Sequence, residues 1–253
     1  MTGSGPWWER FFDAEYFRLW GQAGPGGDQE ADSLWRILAL EPGVRVLDAG
    51  CGFGRVSLPL ARLGAAVLAV DQSALLLEEA ERRRGQLGPD RLRYLHHDLR
   101  NPLPESGFDV ALSLFSSLGY GTEEDDVAIL RTLSAAVRPG GRVAVDTNHR
   151  DVLAAFVSRD SRPAHRLADG TLLIEEPRFD SVAGRVETTW FWAGPAGSGQ
   201  KSASIRVYTI TELVRLLERC GLRLRAALHP GSGEPFRATG PSVGGRVLLV
   251  AER

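Results

Sequence analysis

Apolar and polar positions follow two different rhythms along this chain, and the change between them divides it. From Val44 to Thr147, short strand-like runs recur at Val44 to Ala49, Ala65 to Val70, Arg91 to His96, Phe108 to Leu114 and Arg142 to Thr147. The stretches between them are amphipathic, and their boundaries carry helix signals. Ser73 is an N-cap for a helix to about Arg84, and Thr122 with Asp125 forms a capping box for a helix through Val137. Pro139-Gly140-Gly141 then turns into the fifth strand. Strand and helix alternate five times, which predicts a mostly parallel sheet with helices on both faces. Pro59 falls inside the first of these helices and predicts a late start or a kink there.

Outside that stretch the rhythm differs. Trp7, Trp8, Phe11, Phe12, Tyr16, Phe17 and Trp20 crowd one helical segment, broken by Gly21 to Gly27, before a second helix over Gln29 to Leu40. Leu172 to Phe179, Arg185 to Trp192 and Ser202 to Tyr208 are strand-like with no helix between them. Ala183-Gly184 and the segment Gly194 to Gly199 read as the turns of an antiparallel sheet. Helix and strand resume with Thr211 to Arg219, Leu222 to Leu228 and Arg246 to Ala251.

Composition narrows the function classes. At 253 residues, 43% hydrophobic and 25% charged, the chain suits a single α/β domain with a small insertion. No apolar run approaches the roughly 18 residues that span a bilayer, and the aromatic, acidic N-terminus lacks the pattern of a secretory signal. A cytoplasmic protein without a membrane partner is expected. The net charge of −2 argues against nucleic acid, whose phosphates demand a basic face. Arg82-Arg83-Arg84 falls at a helix end, where the dipole favours cations. Cys51 and Cys220 match no metal or disulfide spacing and are expected as reduced thiols; His96, His97, His165 and His229 show no metal-ligand spacing either.

The chemistry concentrates at V-R-V-L-D-A-G-C-G-F-G-R, Val44 to Arg55. A strand, a glycine turn and an acid about 20 residues on, Asp71, are the layout of a βαβ unit that holds an adenosine. A dinucleotide loop, G-x-G-x-x-G, would have its third glycine at the position of Arg55. Here the third glycine falls one residue earlier, giving Gly50-x-Gly52-x-Gly54, and Asp48 stands at the strand end. A carboxylate there repels a pyrophosphate and favours a ligand carrying an ammonium and a sulfonium.

With Asp48 and Asp71, this loop resembles that of the class I S-adenosylmethionine-dependent methyltransferases. The resemblance covers Val44 to Leu153 and Thr209 to Ala251. It implies a doubly wound, mostly parallel seven-stranded sheet in the order 3-2-1-4-5-7-6, with an antiparallel β insertion. The aromatic N-terminus, the L-F-S-S-L-G-Y segment ending at Tyr120 and the antiparallel strands are similar to a small-molecule subgroup that includes enzymes methylating sugar amines. One domain over 1–253 is implied, with a helical lid at 1–40 and the insertion at 160–208 over the active-site cleft.

The resemblance also implies roles. Asp71, with Gln72 beside it, would accept the ribose hydroxyls, Asp98 and Leu99 would meet the adenine, and Gly50, Gly52, Gly54 and Arg55 would face the methionine portion. Phe115, Tyr16 and Trp20 would border the cofactor, although an aromatic stripe at helical spacing also makes core. Asp48 either anchors the loop or meets the ammonium, and Asp98 is a ligand or a turn residue. Ser116, Ser117, Trp190 and Trp192 are acceptor-side candidates; Trp190 and Trp192 share one strand face, which packs or lines a pocket. His149, after the fifth strand, is a candidate base or a surface residue, with Tyr120 beside it as a catalytic candidate. The expected function is methyl transfer from S-adenosylmethionine to a small-molecule acceptor at N or O, with no metal and with homodimerisation left open. The alternatives are a nicotinamide-dependent oxidoreductase and a non-catalytic cofactor-binding or interaction domain of the same fold.

Overall fold

Residues 6–23, 27–157, 162–237 and 245–253 are described by a computed structural model, and they divide into two compact units. The larger comprises Gly26–His149 and Tyr208–Arg253, the smaller Met1–Pro25 and Arg150–Val207.

In the larger unit, β1 (Arg45–Ala49) is buried from Val46 on and lies inside the sheet, with strands on both sides. β2 (Ala66–Asp71) and β3 (Leu92–His96) extend the sheet to one side of it, and β4 (Phe108–Ser113) and β5 (Val137–Asn148) to the other, all parallel. β11 (Arg246–Glu252) runs antiparallel between β5 and β10 (Arg223–Leu228). Among the described residues the order is thus β3-β2-β1-β4-β5-β11-β10, the order expected for a seven-stranded sheet of this fold.

Helices cover both faces of the sheet. Against one pack α6 (Glu123–Ala136) and α8 (Ile210–Arg219), through Leu130, Leu133, Leu213 and Leu216. Against the other pack α3 (Gly27–Ile37) and α4 (Ser57–Arg62), through Leu34 and Leu60. The expected capping box at α6 is present, and a second, Thr209 with Glu212, starts α8 one residue earlier than the sequence suggested. Ser73 caps α5 (Ala74–Arg84) by accepting from the Leu76 N–H at 3.3 Å. α4 starts late, at Ser57, so Pro59 occupies its first turn, where a missing N–H costs no helical bond. Pro139-Gly140-Gly141 does not precede β5 but lies within it: Val137 already pairs with Phe108, and the register shifts before Arg142 pairs with Val110.

The smaller unit carries the antiparallel sheet, in the order β6-β7-β8-β9. Its strands are β6 (Ala164–Arg166), β7 (Leu172–Asp180), β8 (Arg185–Gly194) and β9 (Gly197–Arg206). The expected long glycine turn shrinks to Pro195-Ala196, because Gly194 already pairs with Gly197 and the Trp192 ring lies over Gly199. The aromatic helix is two helices, α1 (Trp7–Phe11) and α2 (Ala14–Ala23). Asp13 separates them: its Oδ1 accepts from the Tyr16 N–H at 2.8 Å and from Lys201 Nζ at 2.5 Å. Helix α2 then runs through Gly21, where a break was expected. Residues 1–40, expected as one lid, therefore divide: α1 and α2 fall in the smaller unit, α3 in the larger. The smaller unit also includes α7 (Arg150–Val157), ahead of the expected insertion.

Candidate active site

The neighbours of β1 lead away from it in opposite chain directions, so the carboxyl ends of β1, β2 and β4 form a topological switch point. The glycine loop sits there. Gly50, Gly52 and Gly54 have φ of +80°, +56° and +75°, a left-handed region that residues with a Cβ avoid. Their necessity differs: a Cβ on Gly50 would come 2.6 Å from Ser117 Oγ, and one on Gly54 would run into the Tyr94 hydroxyl. A Cβ on Gly52 would meet nothing within 4 Å, so the loop is open at its crest.

Asp71 clasps this loop. Its Oδ2 accepts from the Gly52 N–H and its Oδ1 from the Ser73 N–H, both at 2.8 Å. A carboxylate has about four acceptor directions, so these backbone donors leave capacity for a ligand hydroxyl. Burial pushes the Asp71 carboxyl up, and the N–H groups of Ser73, Gly52 and Gln72 oppose the rise. Gln72 itself is exposed; its carbonyl oxygen lies 2.9 Å from His96 Nε2.

Asp48 lies beneath the loop, 3% exposed, and accepts from Ser57 Oγ at 2.5 Å. That hydroxyl belongs to the first residue of α4, just past the loop. Burial pushes the Asp48 carboxyl up to about 6, against the hydrogen bond from Ser57 and the charge of Arg55. A carboxyl raised above its unfolded value destabilises the native state progressively as pH climbs from about 4 to about 6. Asp48→Asn keeps the shape and loses the charge. In urea unfolding, its stability relative to the wild type is expected to rise by about 2–3 kcal/mol between pH 4 and pH 7. A constant difference across that range would contradict the raised value.

After β4 the backbone turns through two non-glycine residues at positive φ, Phe115 at +57° and Ser116 at +59°. Such strain persists only where neighbours hold it, and here Asp146, 1% exposed on β5, does so. Its carbonyl accepts from the Ser116 N–H at 3.0 Å and its Oδ2 from the Phe115 N–H at 3.4 Å. Ser116 Oγ accepts from the Asn148 N–H at 3.1 Å and from Thr147 Oγ1 at 3.3 Å, and Ser117 Oγ donates to the Leu114 carbonyl at 2.9 Å. The two serines expected on the acceptor side therefore brace this turn. Asp126, also 1% exposed, fixes its far end, accepting from the Gly119 N–H at 2.8 Å and the Tyr208 hydroxyl at 2.5 Å.

The Phe115 ring has guanidinium groups over it, Arg55 at 3.9 Å and Arg246 at 3.7 Å from its centroid. Arg246 pairs with Asp146 through Nε at 3.0 Å, and burial lowers it to about 10. Glu30 of α3 reaches both cations, Arg55 at 2.7 Å and Arg246 at 3.5 Å.

The remaining candidates sort by location. His149 is buried, not a surface residue; its N–H donates to the Gly245 carbonyl at 2.7 Å and its ring lies 5.5 Å from that of Phe236. Tyr120 is half-buried beyond the braced turn. Asp98 makes a turn contact: it accepts from the Arg100 N–H at 2.9 Å and pairs with its guanidinium at 2.7 Å, which lowers its pKa. Leu99 packs against the core. In the smaller unit, Trp190 is 7% exposed, stacked 5.9 Å from both Tyr16 and Trp20, with its indole N–H donated to Glu175 at 3.2 Å. The tryptophan face of β8 is therefore the packed one, and Trp192 adds to the same cluster half-buried.

Glu30, Asp126, Asp146 and Arg246 were not picked out from the sequence. Asp146 and Asp48 share one signal, an acid near the end of an apolar strand; Glu30 and Arg246 have no local one. Among the described residues no cluster of three or more His, Cys, Asp or Glu could hold a metal ion, and no helix is long and apolar enough to cross a membrane.

Residues 46–141 match the family described as a methyltransferase domain. Over 119 residues the chain is 34% identical to the mitochondrial ubiquinone biosynthesis O-methyltransferase of Schizosaccharomyces pombe, covering 46% of this chain and 42% of that relative. The matched segment thus spans less than half the relative's length. Among solved structures, a S-adenosylmethionine-dependent methyltransferase from Clostridium acetobutylicum shares the fold with a TM-score of 0.77 at 18% identity, covering 97% of this chain and 98% of that one. The CcbJ methyltransferase from Streptomyces caelestis does so with a TM-score of 0.78 at 21% identity, covering 94% of each chain. Residues 46–141 thus match the methyltransferase-domain family, and the chain carries the fold of the S-adenosylmethionine-dependent methyltransferases.

Proposed function

We propose that this protein transfers the methyl group of S-adenosylmethionine to a small-molecule acceptor at nitrogen or oxygen. The observation that carries the reading is the glycine loop, open at Gly52, clasped by Asp71 and underlain by the buried acid Asp48. A bound S-adenosylmethionine supplies a methyl group already activated on sulfonium, so the protein has to align, desolvate and, for a protonated acceptor, remove a proton. Asp71 would hold the ribose hydroxyls with its remaining lone pairs. Asp48 would act through its field, favouring the cationic methionine end from below the loop. Phe115 and the braced turn after β4 form a rigid wall on the acceptor side, and His149 is the group assigned to take the proton.

The nicotinamide alternative is disfavoured by Arg55, which stands where a dinucleotide loop needs its third glycine and is engaged with Glu30 and Phe115. Calorimetric titration separates the readings. S-Adenosylmethionine and S-adenosylhomocysteine are expected to bind in the micromolar range and NAD not to bind; NAD binding without response to either methionine-derived ligand overturns the assignment. Asp71→Ala is expected to weaken S-adenosylhomocysteine by roughly 1.5–3 kcal/mol, the size of hydrogen bonds to a charged group. Unchanged affinity removes Asp71 from the ribose role. Ligand binding with no methyl transfer across amine and hydroxyl acceptors favours the non-catalytic alternative.

A further inference from the structure

The contacts around Phe115 close into a circuit. A guanidinium carbon within 4 Å of a ring centroid lies over a face, and two on one face would overlap, so Arg55 at 3.9 Å and Arg246 at 3.7 Å hold opposite faces. Arg55 belongs to the cofactor loop and Phe115 to the acceptor-side turn. Glu30 bridges the two cations, 2.7 Å from one and 3.5 Å from the other. Arg246 continues to Asp146, whose carboxylate and carbonyl return to the Phe115 and Ser116 N–H groups. Two cations and two carboxylates thus face one another around Phe115, and the charge of Arg55 also reaches Asp48 beneath the loop.

Helix α3 brings Glu30 there by close approach: a Cβ on Gly27 would overlap the Arg55 carbonyl oxygen. Only glycine lets the start of α3 lie directly on the loop backbone, and Glu30, one turn on, then meets Arg55.

We propose that Glu30 is a positioning residue that ties the cofactor loop to the acceptor-side turn, by holding Arg55 and Arg246 against the two faces of Phe115. Without it the like-charged arginines lose the anion between them, and loop and turn move independently. Cofactor affinity then depends on a residue that need not touch the cofactor. This rests on the methyltransferase reading given above.

The test is a double-mutant cycle on S-adenosylhomocysteine affinity, with Glu30→Ala, Phe115→Leu and the double variant, and melting temperature measured in parallel. Phe115→Leu keeps apolar bulk and removes the π faces. Each single variant is expected to weaken binding, and the double variant by at least about threefold less than the product of the two, as for residues in one network. A merely structural Glu30 lowers the melting temperature and leaves the affinity effects multiplicative, which overturns the proposal. So does unchanged affinity in Glu30→Ala. If that variant fails to fold, Glu30→Gln, which keeps the shape and loses the charge, carries the same cycle. The wild-type titration is read first: no S-adenosylhomocysteine binding overturns the cofactor reading and this proposal with it. Wild-type binding with multiplicative variants overturns this proposal alone.

Discussion

Trp190→Ala is expected to cost about 3–5 kcal/mol of stability in the smaller unit, the range for deleting a large buried aromatic side chain. Trp190 is at the centre of that unit's core. It stacks on Tyr16 and Trp20, meets Phe11 edge-on at 5.1 Å and gives its indole N–H to Glu175. Truncation removes those aromatic contacts together and leaves the buried side of Glu175 short of a donor. Trp192→Ala, on the same strand face but half-buried, is expected to lose clearly less. Urea unfolding followed by the remaining tryptophans checks both. Equal, small losses would mean that the β8 tryptophans face a pocket and not a core.

Gly54→Ala is expected to cost about 2–4 kcal/mol, from two separable causes. One is backbone: φ of +75° is unfavourable for any residue with a Cβ. The other is overlap with the Tyr94 hydroxyl, against which the new methyl would be driven. That hydroxyl is buried with no hydrogen-bond partner among the described residues, and burial pushes its pKa up. Tyr94→Phe on its own is therefore expected to be neutral or stabilising by up to about 1 kcal/mol, since it removes an unmatched polar group. Combined with Gly54→Ala it relieves the overlap and leaves the backbone strain, so the pair should be less destabilising than the sum. Thermal unfolding of the four proteins of the cycle measures this. Strict additivity would place the whole cost of Gly54→Ala in the backbone.

The sheet was legible because short strand-like runs alternate with capped helices, and the glycine loop because its spacing sets it apart from a dinucleotide loop. Caps were legible where one short motif decides them, as at Thr122 and Ser73. The division of the aromatic helix was hidden: a stripe of aromatics continues across Asp13, whose capping role depends on Lys201, 188 residues away. Likewise β9 starts in Gly197-Ser198-Gly199, poor strand formers that owe their place to pairing with β8 and to the Trp192 ring. The acids at strand ends were visible as candidates, yet sequence could not say that Asp48 sits under the loop while Asp71 clasps it. Glu30 and Arg246, 216 residues apart, meet only in the folded sheet.

The antiparallel strand β11 also constrains the order of events during synthesis. β10 precedes β11 in the chain, yet in the sheet it lies outside it, joined to β5 only through β11. When β10 leaves the ribosome its place beside β5 does not yet exist, and α8 has only the half-built face of the sheet to rest on. A nascent chain stalled before Arg246 should thus expose β5 as an unguarded edge, able to pair with another chain, and it is β11 that closes that edge.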